Sequence, residues 1–467
     1  MNYKQAVIKS HYNLSKINGE FVEHMLQNSD MVAQQRATIL NAELPKSLSY
    51  MRSVASPWPL IVDNKLKGQY KEITQRMGQL LYKSVVLMAE HYPQMYKQLY
   101  QVPIELADYV KLDDTVGEAM IGRFDGLMHN GALKLVEYNA GSNIGGWHMY
   151  RQAEVFRQIT GSFGAKLEST AVLEQFFTYL NKIGQAVKTH QTGQETVNVL
   201  FEMNNPEETQ ECLGALDYFE QAIAVCKLNI RLFFDTNFEQ IRIENEQVMM
   251  DDQVIDVITA PMFGIDSSNL MLQQLTHLHF AGKVAFPDNP VYLLSGHKSN
   301  FANLYFLMQQ GLLSKQEYEM VSKYLPWTAY LNDSFNQGSG KVSESAQFID
   351  GKDQYVIKRD GLMGGQHVYI GLYMSVEGWR NVLVLAGNEP GWSIQKFYPS
   401  DPFYSPLDDH DIIEFDLVFG FFDFGTTFGG CVIRMMPTAS CNGVVNASKG
   451  AQCTMALEMP QRKALLL

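Results

Sequence analysis

The sequence predicts a mixed protein of helices and strands, of α+β and α/β class, built from several domains. Three patterns carry this expectation. Ile73, Met77, Leu80, Leu81 and Val85 recur at three- and four-residue steps, the period of an amphipathic helix. Val197–Met203 is a strand-like run, followed by the turn Asn204-Asn205-Pro206-Glu207 and a helical pattern through Leu213, Leu216, Phe219 and Ile223. From residue 355 onward, short apolar runs alternate with turns, as in an antiparallel sheet.

The elements follow in order. Residues 1–115 read as a helical N-terminal region, with Pro57 and Pro59 marking an irregular connection. In 116–195, Met120–Phe124 and Leu133–Tyr138 are short strands separated by His129-Asn130-Gly131. Asn-Gly between two strands signals a hairpin. A glycine-rich turn and helices over roughly 150–190 come next. Residues 196–290 form a small α/β domain, with further strands at Ile230–Phe234 and Val254–Ile258. In 291–467, Ser314-Lys315-Gln316-Glu317 is a capping box that opens a helix. Tyr355–Ile357, Val368–Ile370, Val382–Leu385, Trp392–Phe397 and Cys431–Met435 then read as strands, with a glycine-rich loop between the first two.

Composition narrows the classes of function. A length of 467 residues suits two to four units at about 100–200 residues per domain. Thirty-seven Lys and Arg against 50 Asp and Glu give a net charge of −13. That excludes nucleic-acid binding through a basic surface and leaves room for a local cationic groove. Cys212, Cys226, Cys431, Cys441 and Cys453 are odd in number and contain no C-x-x-C pair, which points to a reducing compartment. The polar stretch Met1–Asn13, with Lys4 and Lys9, lacks the apolar core of a signal peptide. No run of about 18 apolar residues suggests a membrane span. The expectation is a soluble cytoplasmic protein without nucleic-acid or membrane partners, its oligomeric state left open.

Two constellations could carry chemistry. Arg123-Phe124-Asp125 and Glu137-Tyr138-Asn139 alternate polar with apolar residues, so each strand puts its polar pair on one face. Paired across the Asn130-Gly131 turn, they would gather two carboxylates, an amide and a guanidinium. Hard oxygen ligands of that kind suit Mg²⁺, and the arginine suits a phosphoryl group or oxyanion. Alternation alone is more often a solvated hairpin face. The second is Tyr355–Lys358 with the loop Gly361, Gly364 and Gly365. Glycines let backbone N–H groups approach a polyphosphate, and Lys358 supplies a point charge. Lys298, at a helix opening, would be a further cation. No nucleophile motif such as G-x-S-x-G or H-E-x-x-H is found.

Together these motifs resemble the ATP-grasp family. Gly122-Arg123-Phe124-Asp125 with Leu135-Val136-Glu137-Tyr138-Asn139-Ala140 looks like its magnesium-binding half, and 355–371 looks like its nucleotide-binding half. The magnesium half comes first in the chain, which is similar to the circularly permuted group that includes the synthetase domain of glutathionylspermidine synthase. The resemblance covers about 120–147 and 291–397 well and does not reach the first hundred residues. Arg359 stands where the family often has proline after the strand lysine, and Met363 with Gln366-His367 replaces a common Gly-Lys-Gly pattern.

The resemblance implies a fold, a reaction and roles. The fold would be a permuted ATP-grasp core with an added α/β subdomain and a helical N-terminal region. The reaction would be ATP-dependent ligation of a small-molecule carboxylate to an amine through an acyl phosphate, releasing ADP and phosphate. Asp125, Glu137 and Asn139 would bind Mg²⁺, and Arg123 would stabilise the transferring phosphoryl group. Lys298, Lys358, Gly364 and Gly365 would hold the ATP phosphates, with Gln395 and Lys396 at the adenine. Ser142, Asn143, Arg151 and Arg434 would face substrate. The alternatives are a small-molecule phosphotransferase and a non-catalytic nucleotide-binding protein.

Three features point elsewhere only weakly. His277 and His279 alternate like one face of a strand or loop, without a third ligand. Asp408-Asp409-His410-Asp411 looks metal-like but reads better as a solvated turn, and Asn446 either borders the site beside Arg434 or caps a turn.

Overall fold

A computed structural model of the protein describes residues 3–27, 37, 56–112, 116–142, 145–146, 153–161, 163, 167–188, 196–260, 269–332, 335, 345–361, 366–407, 411–446 and 449–460. Its strands are β1 (Leu60–Val62), β2 (Ile121–His129), β3 (Ala132–Ala140), β4 (Val197–Met203), β5 (Ile230–Thr236), β6 (Arg242–Glu244), β7 (Gln247–Met250), β8 (Gln253–Val254) and β9 (Val257–Thr259). They continue with β10 (Thr328–Tyr330), β11 (Tyr355–Arg359), β12 (Val368–Ile370), β13 (Trp392–Lys396), β14 (Phe403–Pro406), β15 (Ile412–Phe424), β16 (Phe428–Pro437) and β17 (Gln452–Glu458).

The hairpin β2–β3 forms where Asn-Gly demands it. Asn130 and Gly131 both adopt positive φ, 51° and 72°, which matches the right-handed twist of the flanking strands. The turn is pinned from outside, since the Asn130 and Gly131 N–H groups donate to the two Asp401 carboxylate oxygens at 2.7 and 2.9 Å. Arg123 stands opposite Asn139 and Asp125 opposite Glu137, and the register shifts between Asp125 and Gly126.

This hairpin is the edge of a seven-stranded sheet ordered β1-β17-β16-β15-β2-β3, with β14 also on β15. All neighbours are antiparallel except β1, which lies parallel to β17. One face is apolar. Phe124 stacks on Tyr138 at 4.3 Å, and Tyr70 stacks on Phe421 at 4.5 Å. Tyr70 belongs to the helix Asn64–His91, whose buried Tyr70, Ile73, Met77, Leu80 and Leu81 carry the expected periodicity. Asp63 caps its first turn, accepting from the Leu66 N–H at 2.8 Å.

A four-stranded sheet, β10-β13-β11-β12, forms the other wall of the site. Period two explains its faces. Tyr355 and Ile357 of β11, with Trp392 and Ile394 of β13, pack against Trp379 and Leu383 of the helix Val376–Asn388. Val356, Lys358 and Gln395 therefore face the opposite way. The α/β domain holds the parallel sheet β5-β4-β9 and the small antiparallel sheet β6-β7-β8.

Three expectations are corrected. Val382–Leu385 is helical, because Ser375 caps Gly378 and the buried Trp379, Leu383 and Ala386 follow helical spacing. The N-terminal region is not wholly helical, since Leu60–Val62 completes the large sheet. His277 and His279 sit on the helix Leu270–Phe280. The His277 ring bonds the Tyr109 hydroxyl at 2.6 Å, and the His279 ring meets the Val284 carbonyl and the Phe286 N–H. Both act within the packing.

Among the described residues, no helix is long and apolar enough to cross a membrane.

Candidate functional site

The polar face of β2–β3 and the inner face of the four-stranded sheet enclose a cavity of about 120 Å³. Asp125, Glu137, Lys298, Lys358 and Arg434 line it together with Leu127, Val136, Val356, Ile370 and Val418. Charged groups thus share one space with an apolar slot. Residues 222 positions apart in the chain are brought into contact: the Lys358 ammonium donates to the Val136 carbonyl at 2.8 Å.

The carboxylates opposite one another would repel, and each is neutralised differently. Asp125 is buried. It accepts from Arg123 Nε at 2.9 Å and Nη2 at 3.2 Å, and from Asn139 Nδ2 at 3.0 Å. Arg434 Nη2 lies 2.6 Å from the same carboxylate. Burial alone would raise its pKa, but Arg123 and Arg434 outweigh that and hold it at about 2. Glu137 pairs instead with Lys298 Nζ at 2.8 Å, and its side chain remains 31% exposed, so it can still be reached by a ligand.

The lysines have separate supports. Lys358 also donates to Gln395 Oε1 at 2.7 Å, and Gln395 in turn donates to Thr328 Oγ1 at 3.1 Å. Burial lowers the Lys358 pKa to about 8, against the attraction of Glu137. Lys298 precedes the helix Asn300–Gln309, and its segment is tied to the end of β11. The Ser299 N–H donates to Asp360 Oδ1 at 2.9 Å and the Ser299 hydroxyl bonds the other oxygen. Four cationic side chains, Arg123, Arg434, Lys298 and Lys358, thus meet two anionic ones. The site is locally positive in a chain of net charge −13.

Most expected residues converge. Lys298, Lys358, Gln395, Lys396, Asp125, Glu137 and Arg434 line the cavity, and Arg123 and Asn139 bond directly to Asp125. Gln395 is buried and spent on Lys358 and Thr328, so its side chain braces the lysine. Asn446 lines the cavity. Ser142 does not join them. Its N–H and hydroxyl donate to the two oxygens of buried Asp288 at 2.6 and 2.7 Å, which ties the chain after β3 to the α/β domain. Asn143, Arg151, Gly364 and Gly365 lie outside the described residues, as do residues 408–410.

Sequence reasoning missed Asp360, Asp288 and the slot walls Ile370 and Val418. The alternation in β12, Val-Tyr-Ile, offered a signal for Ile370. The two aspartates act through contacts 61 and 146 positions away, which no local pattern reveals.

Comparison with known proteins finds no matching family model and no matching curated protein. Among solved structures, the chain is similar to a glutathione synthetase-like effector from Globodera pallida. The match covers 93% of this chain and 97% of that one, with TM-score 0.60 and 13% identity. At that identity the likeness concerns the fold alone: a mixed α and β architecture shared with a glutathione synthetase-like protein. A proposed gamma-glutamylcysteine synthetase from Methylobacillus flagellatus aligns over 83% of this chain and 86% of its own, at 11% identity and TM-score 0.35, too low to argue from.

Proposed function

We propose that the protein is an ATP-dependent carboxylate–amine ligase of the ATP-grasp type, with the magnesium half preceding the nucleotide half. The observation that carries this reading is the convergence of Lys298, Lys358 and Arg434 with Glu137 on one cavity that also has an apolar slot. A polyphosphate needs such cations, and a base needs such walls. The ligase-like fold of the structural neighbour adds support.

The chemistry follows from the groups. A carboxylate is a poor electrophile at neutral pH. Its oxygen attacks the γ-phosphorus of ATP, the bond to ADP breaks, and an acyl phosphate results. The amine then attacks the acyl carbon, loses a proton, and phosphate leaves. Alignment and charge neutralisation do most of the work in phosphoryl transfer, so the lack of a nucleophile motif fits. Lys358 and Lys298 would hold the phosphates, and Arg123 and Arg434 would neutralise the transferring group.

The residues present fit a magnesium ion. Glu137 is a reachable carboxylate, and Asn139 turns its amide nitrogen to Asp125, which leaves its oxygen for a cation. Mg²⁺ characteristically takes one or two carboxylates with phosphate oxygens and water. It would supply charge neutralisation on the polyphosphate.

The test is a coupled ADP-release screen over pairs of amino acids, dipeptides and polyamines, glutathione precursors included. ADP release that needs both a carboxylate and an amine supports the reading. Release with one substrate and a stable phosphorylated product would make the protein a phosphotransferase instead.

A further inference from the structure

Asp125 and Glu137 stand side by side across the hairpin, yet their surroundings differ. An ionised carboxylate has about four lone-pair acceptor sites. Asp125 spends four contacts: Arg123 Nε and Nη2, Asn139 Nδ2 and Arg434 Nη2, at 2.9, 3.2, 3.0 and 2.6 Å. Its side chain is 5% exposed, and Arg434 is 12% exposed. A cation on Asp125 would have to displace a buried guanidinium and then sit beside two positive charges. Leaving a buried charge unpaired is strongly unfavourable. Glu137 instead forms an ion pair with Lys298, whose flexible stem can swing to a phosphate.

The arginines themselves point to a ligand. Arg434 lines the cavity, and its Nε is buried without a partner among the described residues. Arg123 Nη1 donates to the Gly145 carbonyl at 2.7 Å, which gives the guanidinium that holds Asp125 a second anchor. One carboxylate therefore gathers two guanidiniums and leaves a net positive station with an unused donor.

We infer that Asp125 is not a metal ligand. It is a positioning residue that clamps Arg123 and Arg434 into an oxyanion-binding station, and Glu137 with Asn139 carries the divalent cation. This inference rests on the ligase reading. It divides the hairpin into two jobs: β3 serves the cation and β2 serves the anion. An oxyanion on the station, the substrate carboxylate or the phosphoryl group passing to it, would take the Arg434 Nε donor.

The test uses the full chain and two probes. Mn²⁺ replaces magnesium and is followed by electron paramagnetic resonance in the presence of ADP. Inorganic phosphate is titrated calorimetrically against the protein with ADP and Mn²⁺ present. We expect Glu137→Gln to weaken Mn²⁺ binding at least tenfold. Asp125→Asn should change it less than threefold and weaken phosphate at least tenfold. Equal loss of Mn²⁺ in both variants overturns the inference, as does unchanged phosphate binding in Asp125→Asn or no phosphate binding in the unaltered protein. Should Asp125→Asn fail to fold, Arg434→Gln decides. A ligand role for Asp125 requires Mn²⁺ to bind at least tenfold tighter once that oxygen is released, whereas the clamp requires a change under threefold with phosphate weakened. If the unaltered protein takes up no Mn²⁺ with ADP, the ligase reading itself fails, a result distinct from all of these.

Discussion

Lys298 and Glu137 form an ion pair, Nζ to Oε1 2.8 Å, inside the cavity between the two sheets. The pair joins a cation expected at phosphate to a carboxylate expected at metal. Removing the carboxylate charge should cost nucleotide affinity mainly when magnesium is present. We expect Glu137→Gln to weaken ATP binding at least tenfold with Mg²⁺, about 1.4 kcal/mol, and much less without it. Calorimetry in the two conditions checks this, with circular dichroism as the control for folding.

Lys358 gives the site a pH dependence. Burial, opposed by Glu137 and Asp125, brings its pKa down from 10.5 to about 8. The ammonium is therefore present below pH 8 and lost above it, so ATP affinity should fall as pH rises from 7 to 9.5. Lys358→Arg keeps its charge throughout that range and should flatten the profile. An identical slope in both proteins would remove Lys358 as the cause.

Part of this was legible in the sequence. The β2–β3 hairpin followed from Asn130-Gly131 and two alternating runs, and the Arg123, Asp125, Glu137 and Asn139 patch followed from the hairpin. Lys358 followed from its strand and the neighbouring glycines. What was not legible depends on distant contacts. Val382–Leu385 reads as a strand by composition, and packing of Trp379 and Leu383 on the four-stranded sheet, with the Ser375 cap, makes it helical. Leu60–Val62 becomes a strand only because β17 offers an edge to it. The Arg434 contact to Asp125 was not legible either, because the two lie 309 positions apart, on strands whose register sequence alone does not reveal.

Glu202, at the end of β4, has no exposed surface and is a liability for stability. Its Oε1 accepts the Phe238 N–H at 2.8 Å, while Oε2 has no partner among the described residues. Burial, with Asp235 and Glu239 nearby, raises its pKa from 4.5 to about 8. The folded state binds the proton more tightly. Its contribution is therefore full below pH 4.5 and is lost as pH rises through 8. Glu202→Gln should raise the Tm at pH 7.5 and flatten the decline between pH 5 and 8. The gain near neutrality is about 3 kcal/mol at 1.4 kcal/mol per pKa unit. Thermal melts across that range check it.

His11 should make the N-terminal helix sensitive to acid. Its ring is buried against Phe403 at 4.7 Å, with Nε2 3.0 Å from the Tyr404 carbonyl. Burial lowers its pKa from 6.5 to about 4, against that carbonyl. The docked helix holds His11 neutral, so its stability is full above pH 6.5 and declines as pH falls toward 4. Limited proteolysis should therefore cut the Tyr3–Leu14 helix faster at pH 4.5 than at pH 7. In His11→Gln that acid-induced acceleration should vanish.

The most direct measurement of the central claim is transfer of oxygen-18. With a carboxylate substrate found by the ADP screen and labelled in both oxygens, turnover with amine and ATP should release ADP and phosphate. An acyl phosphate requires that phosphate to carry one labelled oxygen. Unlabelled phosphate, or label appearing in AMP, would contradict the ligase reading.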